Sequence, residues 1–234
     1  MAVRSVGLVV ARAVSTDGRI EHAGLLYERA VFAGEGAGLA VAERELDGVE
    51  ADLALARGRV IHGRFLEGNE EDPRELALFE RAAQLYQTLG DVHGEGEALL
   101  WIGIFYQVVR HDDEAAVPIL DRARELAAGA DDGLTLSYVL RHLGIAEHGA
   151  GRLDNARQRL EESTRLREEI GFRAGVAANL VGLAYVAAAQ DRRAEAIAIA
   201  EEAARVAEAS DASVIVRQAE QASAAVSTSR STAS

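Results

Sequence analysis

The chain has 234 residues, with 25 Lys+Arg against 38 Asp+Glu and a formal charge of -13; such a balance repels a phosphate backbone and argues against nucleic acid as a partner. The absence of Cys excludes disulfides, thiolate metal sites and cysteine nucleophiles. Apolar residues make up 49% but aromatic ones only 5%, with 2 Pro, so long stretches are free to form helix and small aliphatic side chains must fill the core. Every basic side chain is Arg, and Ala, Gly and Val are abundant, the composition of a high-GC bacterial genome.

In chain order, residues 1–18 are expected to be an N-terminal extension, disordered before the first helix. Its run Val6 to Ala11 is too short for the hydrophobic region of a secretory signal. Residues 19–46 read as one helix or a pair, broken near Gly34, Gly36 and Gly38. Helix pairs are then predicted over 51–66 with 73–89, 94–109 with 112–128, 133–149 with 153–170, and 173–189 with 192–208. Asp112, Asp154 and Asp191 stand near second-helix starts, where a carboxylate satisfies free backbone donors. Gly90, Gly151 and Gly171 mark turns. Residues 211–222 read as a capping helix, making 19–222 one domain, and 223–234, rich in Ser, Thr and Ala, as a disordered tail. The longest uncharged stretch, Ala174 to Gln190, falls short of the roughly 20 residues a spanning helix needs. A cytoplasmic protein with no membrane partner is expected.

The chain repeats itself. Leu78 to Leu85 aligns with Ile119 to Leu126 at an offset of 41, and a further 40 residues bring Leu160 and Leu166, then Ala200 and Val206, into the slots of Leu120 and Leu126. In the preceding helices Leu99, Leu140 and Leu180 correspond, as do Ile102, Leu143 and Leu183, and Gly103, Gly144 and Ala184. These triples fall at i, i+3 and i+4, one helical face whose third slot is small enough for close approach of a neighbour. A period near 40 with two helices per unit predicts pairs that bury their apolar faces only by stacking.

Leu140-x-x-Leu143-Gly144 followed by Ala156-x-x-x-Leu160, and Leu99-x-x-Ile102-Gly103-x-x-Tyr106, resemble the Trp-x-x-Leu-Gly … Ala-x-x-x-Phe skeleton of tetratricopeptide repeats, in a longer-period form than the family's usual repeat of about 34 residues. The likeness covers roughly residues 50–210, without the motif's terminal Pro. It implies an all-α, right-handed solenoid of stacked antiparallel helix pairs, with the first helix of each pair lining a concave groove.

On that groove face the third pair offers Tyr138, Arg141 or His142, Ile145 and His148, spaced as one helical stripe. The earlier pairs add Trp101, Ile104 and Gln107, and in looser register Arg59 and His62. A guanidinium fork from Arg141 would pair with a carboxylate or phosphate while Trp101 and Tyr138 supply stacking surface. The set is similar in part to the carboxylate clamps of peptide-binding tetratricopeptide proteins, with Asn179 the only further candidate and shifted off the groove. The plainer reading makes Arg141 and His142 a solvated lip and Trp101 a core residue.

No metal or cofactor is expected. His142 and His148 are not at the i, i+4 spacing of a helical zinc pair, and His111 beside Asp112 and Asp113 reads as a solvated turn. Gly34 to Gly38 lacks the spacing of a phosphate loop, and Ser137 and His142 share no helical face for a nucleophile and base. The expectation is therefore a non-enzymatic scaffold that holds a protein or peptide, its acidic outside favouring a basic partner at long range. The alternative is a receptor for an anionic small molecule, or an enzyme with Arg141 as clamp and His142 as acid or base. A homo-oligomer stacked through terminal repeats is the third reading.

Overall fold

The computed structural model describes residues 17–228. The expected extension, apart from its last residues, and the end of the expected tail lie outside them. Among the described residues ten α-helices follow one another: α1 Gly18–Ala33, α2 Leu39–Gly68, α3 Arg74–Leu89, α4 Val92–Ile104, α5 Asp113–Gly129, α6 Gly133–Gly149, α7 Leu153–Glu169, α8 Arg173–Ala189, α9 Arg193–Glu208 and α10 Ser213–Thr228. No strand occurs among the described residues. The helices pack as pairs, α2 with α3, α4 with α5, α6 with α7 and α8 with α9; each pair stacks on the next, and α10 closes onto α9 and α8. This is an all-α solenoid of the expected kind.

Small residues set the spacing within pairs. A Cβ added to Gly58 would lie 2.4 Å from Phe79, at Gly103 2.5 Å from Leu120, and at Gly144 3.0 Å from Leu160. In the first three pairs the second helix thus presses one large side chain into a glycine notch on the first, while in the fourth Ala184 of α8 packs with Ala200 and Ala203 of α9. Around these notches Phe79, Leu120 and Leu160 are buried, as are Ala82 and Ala123.

The structure corrects three expectations. Residues 39–68 form one helix where a break before 51 was expected: an internal Gly costs about 1 kcal/mol, and here Gly48 leaves room for Arg19 of α1, which reaches Asp52 at 2.6 Å. Among the expected caps only Asp112 acts as one, accepting from Ala115 N at 2.9 Å. Asp154 lies inside α7, and Asp191 takes a left-handed turn conformation, φ 58, while Asp91 and Asp132 cap α4 and α6. Finally, α10 runs past 222 to Thr228 because Ala219, Ala222 and Val226 form an apolar stripe buried against the last pair.

Candidate functional site

The sequence candidates sit on the first helices α2, α4 and α6, and in the turn of π-helix, Phe105–Val109, that prolongs α4. They form separate groups. At the α2/α4 junction the Trp101 ring stacks on Phe79, centroids 5.7 Å apart, and receives the edge of His62 at 5.5 Å. His62 Nδ1 lies 2.8 Å from Glu75 Oε1, and both residues are buried; burial raises the Glu75 carboxyl above its ordinary range although His62 pulls the other way. Arg59 lies over Trp101 at 5.3 Å and pairs with Glu97 at 3.0 Å. Trp101 and His62 are thus largely packing groups, and Arg59 is a rim cation with its own acid.

A second group joins α4 to α6. The π-helical turn carries Gln107 inward, where its Nε2 donates to Asp113 Oδ1 at 2.7 Å and to the His142 carbonyl at 3.1 Å. Its Oε1 is then the acceptor facing His142 Nδ1 at 2.6 Å, which makes Nδ1 the protonated ring nitrogen. Burial, reinforced by Arg141, Arg167 and His62, pushes the imidazole down to about 3, so His142 is neutral at pH 7 and its Nε2 is left as an acceptor.

The third group is centred on Asn179, which is wholly buried. Its Oδ1 accepts from Arg141 Nη1 at 3.2 Å and from Arg167 Nη1 at 3.0 Å, and its Nδ2 donates to Ser163 Oγ at 2.8 Å. Ser163 Oγ donates in turn to the Ser137 carbonyl at 2.5 Å. Arg167, 1% exposed, also donates to Gly175 O at 2.7 Å, lies over the Tyr138 ring at 4.7 Å and the Phe172 ring at 5.4 Å, and keeps a buried Nη2 without a hydrogen-bond acceptor. Arg141 Nη1 further donates to Ala178 O at 2.6 Å. Burial pushes both guanidinium groups down to about 10, and for Arg167 the charge of Arg141 adds to it. Both stay protonated at neutral pH, and no carboxylate among the described residues pairs with either.

Arg141 forms part of the wall of a cavity of about 360 Å³ between α6, α8 and α10, with Ile145, His148, Val181, Tyr185 and Gln221. Volume and lining, mostly apolar with a few polar groups, are those of a small-ligand or side-chain pocket. Of the expected stripe, Arg141, Ile145 and His148 meet in this cavity; Tyr138 turns to Arg167, and His142 to Gln107.

Sequence reasoning missed Arg167 and Ser163, weighed Ser137 only as a nucleophile, and set Asn179 off the groove, where it is wholly buried. The signal was in the repeat register. Arg167 occupies the slot of Ala127 and Ala207, Ser163 that of Ala123 and Ala203, and Asn179 that of Ala98 and Val139. The junction of the third and fourth pairs, α7 against α8, therefore carries a polar network where these slots elsewhere carry Ala or Val.

Residues 94–169 match the family model described as tetratricopeptide repeat. No curated protein matches the chain. Among the described residues no group of three or more His, Cys, Asp or Glu could hold a metal ion, and no helix is long and apolar enough to cross a membrane.

Proposed function

We propose that this tetratricopeptide-repeat-like chain is an interaction scaffold whose groove holds an extended protein or peptide segment through one anionic group, seated on Arg141 in the cavity between α6, α8 and α10. The observation that carries the reading is the pair Arg141 and Arg167: two guanidinium groups converge on one amide oxygen, without a carboxylate, in a chain of net charge -13. Desolvated cations without counter-ions are costly to keep, and an anion in the cavity would offset that cost. Arg141 spends only Nη1 on the protein. Its remaining donors suit a carboxylate or phosphate. His148 and Gln221 offer further polar contacts at the cavity wall, and Val181 and Tyr185 an apolar floor for the neighbouring side chain. His142, fixed as an acceptor, suits an N–H of an extended backbone. Arg59, on the rim over Trp101, would meet the same segment further along the groove.

The test is a peptide library presented with free and with amidated C-termini, titrated against wild type and Arg141→Ala. Retention of acidic or free-carboxylate peptides by wild type, weakened at least about tenfold in the variant, is the expected result, since a charge-assisted hydrogen bond contributes about 1.5–3 kcal/mol. Equal retention by both proteins would remove Arg141 from the site. A second reading, a receptor for an anionic small molecule, draws on the cavity's size, about 360 Å³. It predicts instead a small molecule that copurifies with wild type and is lost from Arg141→Ala.

A further inference from the structure

The first pair shows a surface that the later pairs bury. Gly58 of α2 and Gly103 of α4 make the same notch, against Phe79 and Leu120, so Leu53 and Arg57 of α2 stand where Ala98 and Ile102 stand in α4. Ala98 and Ile102 are 0% and 7% exposed because they face back onto α2 and α3, and Ile119 of α5 packs there too. Leu53 is 48% exposed, and Val60, one turn beyond Arg57, is 59% exposed. Leu78, the counterpart of Ile119, completes the wall of a groove of about 820 Å³ with Val60, Ile61, Arg57, Arg64 and Arg74. Among the described residues nothing takes the place here that α3 takes against α4. α1 packs elsewhere on α2, through Asp52 and Glu45.

The charged side chains lining this groove are Arg57, Arg64 and Arg74, with Glu70, Glu71 and Asp72 beyond Arg64 and Arg74 at its far end. Arg74 is paired with Asp72 at 2.6 Å, and Arg64 influences Asp72 from beyond ion-pair distance. Arg57 and Arg64 have no ion-pair partner among the described residues. They lie about 10 Å apart along one face of α2, two turns, with Val60 and Ile61 between them. An apolar strip flanked by two unpaired cations matches a helix with an apolar stripe and carboxylates spaced by two turns. Residues 1–16 fit it poorly, because they carry Arg4 and Arg12 and no carboxylate. A second copy approaching with the same face would set Arg57 and Arg64 against themselves.

We propose that the outer groove of α2 and α3 docks one acidic amphipathic helix of a partner protein, in the position that α3 takes against α4. The site is independent of the cavity beside Arg141, so a scaffold with both could hold two partners at once.

The probe is a labelled alanine-rich peptide of about five turns, with a Leu stripe flanked by Glu side chains about two turns apart. Its control has Lys in place of Glu. Fluorescence anisotropy with the full chain should show the Glu peptide binding at least about tenfold more tightly than the Lys peptide. Arg57→Glu/Arg64→Glu should reverse that order, and Arg141→Ala should leave it unchanged. Unchanged helicity by circular dichroism and an unchanged melting temperature would certify the charge-swapped fold. Equal binding of the two peptides, binding of neither, or an order that survives the charge swap overturns the proposal. So does a concentration-dependent dimer that dissociates in Val60→Glu, which would assign the face to a second copy.

Discussion

Replacing Asn179 by Val puts into α8 the side chain that the equivalent slot of α6 holds at Val139, yet the structure makes this conservative swap expensive. Three hydrogen bonds go: from Arg167 at 3.0 Å, from Arg141 at 3.2 Å, and to Ser163 at 2.8 Å. A hydrogen bond to a charged group contributes about 1.5–3 kcal/mol, and a neutral one about 1. Arg141 retains Ala178 O and a place in the cavity wall, so its loss counts for little. Arg167 is enclosed, with Nη2 already unsatisfied. The expected cost is about 3 kcal/mol, or about 6–12 °C in Tm at 2–4 °C per kcal/mol for a chain of this size. The companion variant Asn179→Val/Arg167→Met/Ser163→Ala replaces the polar network between α7 and α8 by aliphatic side chains without emptying the space that buried Arg167 fills. It removes the cation along with its acceptor at nearly constant volume, a change that is often neutral or stabilising, and should return to within about 1 kcal/mol of wild type. Urea unfolding followed by far-UV circular dichroism, with a check that the slope m is unchanged, measures both. A cost below about 1 kcal/mol for the single variant, or a triple variant less stable than the single one, would refute the account of Asn179 as the group that holds two buried cations in place.

Two further predictions concern packing and pH. Gly103→Ala drives a methyl against Leu120, whose Cδ2 would lie 2.5 Å away, and should cost about 1–3 kcal/mol; Gly63→Ala on the same type of first helix meets nothing within 4 Å and should stabilise by about 0.5–1 kcal/mol, both read from thermal melts. His142 is held near 3 in the folded chain against an ordinary 6.5, so the unfolded chain binds the proton first and stability is lost as pH falls through that window. Glu75, raised by burial, contributes in the opposite sense, its share being lost as pH rises. The comparison of wild type with His142→Gln isolates the histidine: between pH 7 and pH 5 wild type should lose stability faster than the variant, by up to about 1 kcal/mol per pH unit, and parallel curves would show that the imidazole is not held neutral.

The repeat was legible because its signal is apolar and local. Leu99, Leu140 and Leu180 recur in one helical phase with a small residue four positions on, and the helix pairs from 73 onward fall close to where that phase puts them. The first pair was harder, because α2 passes through Gly48 without breaking and its notch at Gly58 lies out of phase with the later period. Caps failed where backbone geometry overrode residue type, as at Asp191. For the site, exposure and residue type pointed to Arg141 and His148, which do meet in one cavity. What a single helix pattern could not give was the direction of His142, set by a π-helical turn in another pair, or the role of Arg167, which arrives from the opposite helix of its own pair. A comparison slot by slot, asking which repeat puts Arg where the others put Ala, would have found it.

The two ends of the described array are unlike. At one, α10 lays Ala219, Ala222 and Val226 over the last pair; at the other, Leu53 and Val60 of α2 stay in water. Stability in a stack is a sum of each unit and its contacts with the next, so the pair with one neighbour fewer is held least. Thermal opening then travels in one direction, from α1 and the first half of α2 toward α9, like a zipper pulled from its loose end. The cavity beside Arg141 lies far along that route and stays assembled through fluctuations that expose the first pair, so the early helices can yield to force or proteases while the cavity keeps its shape.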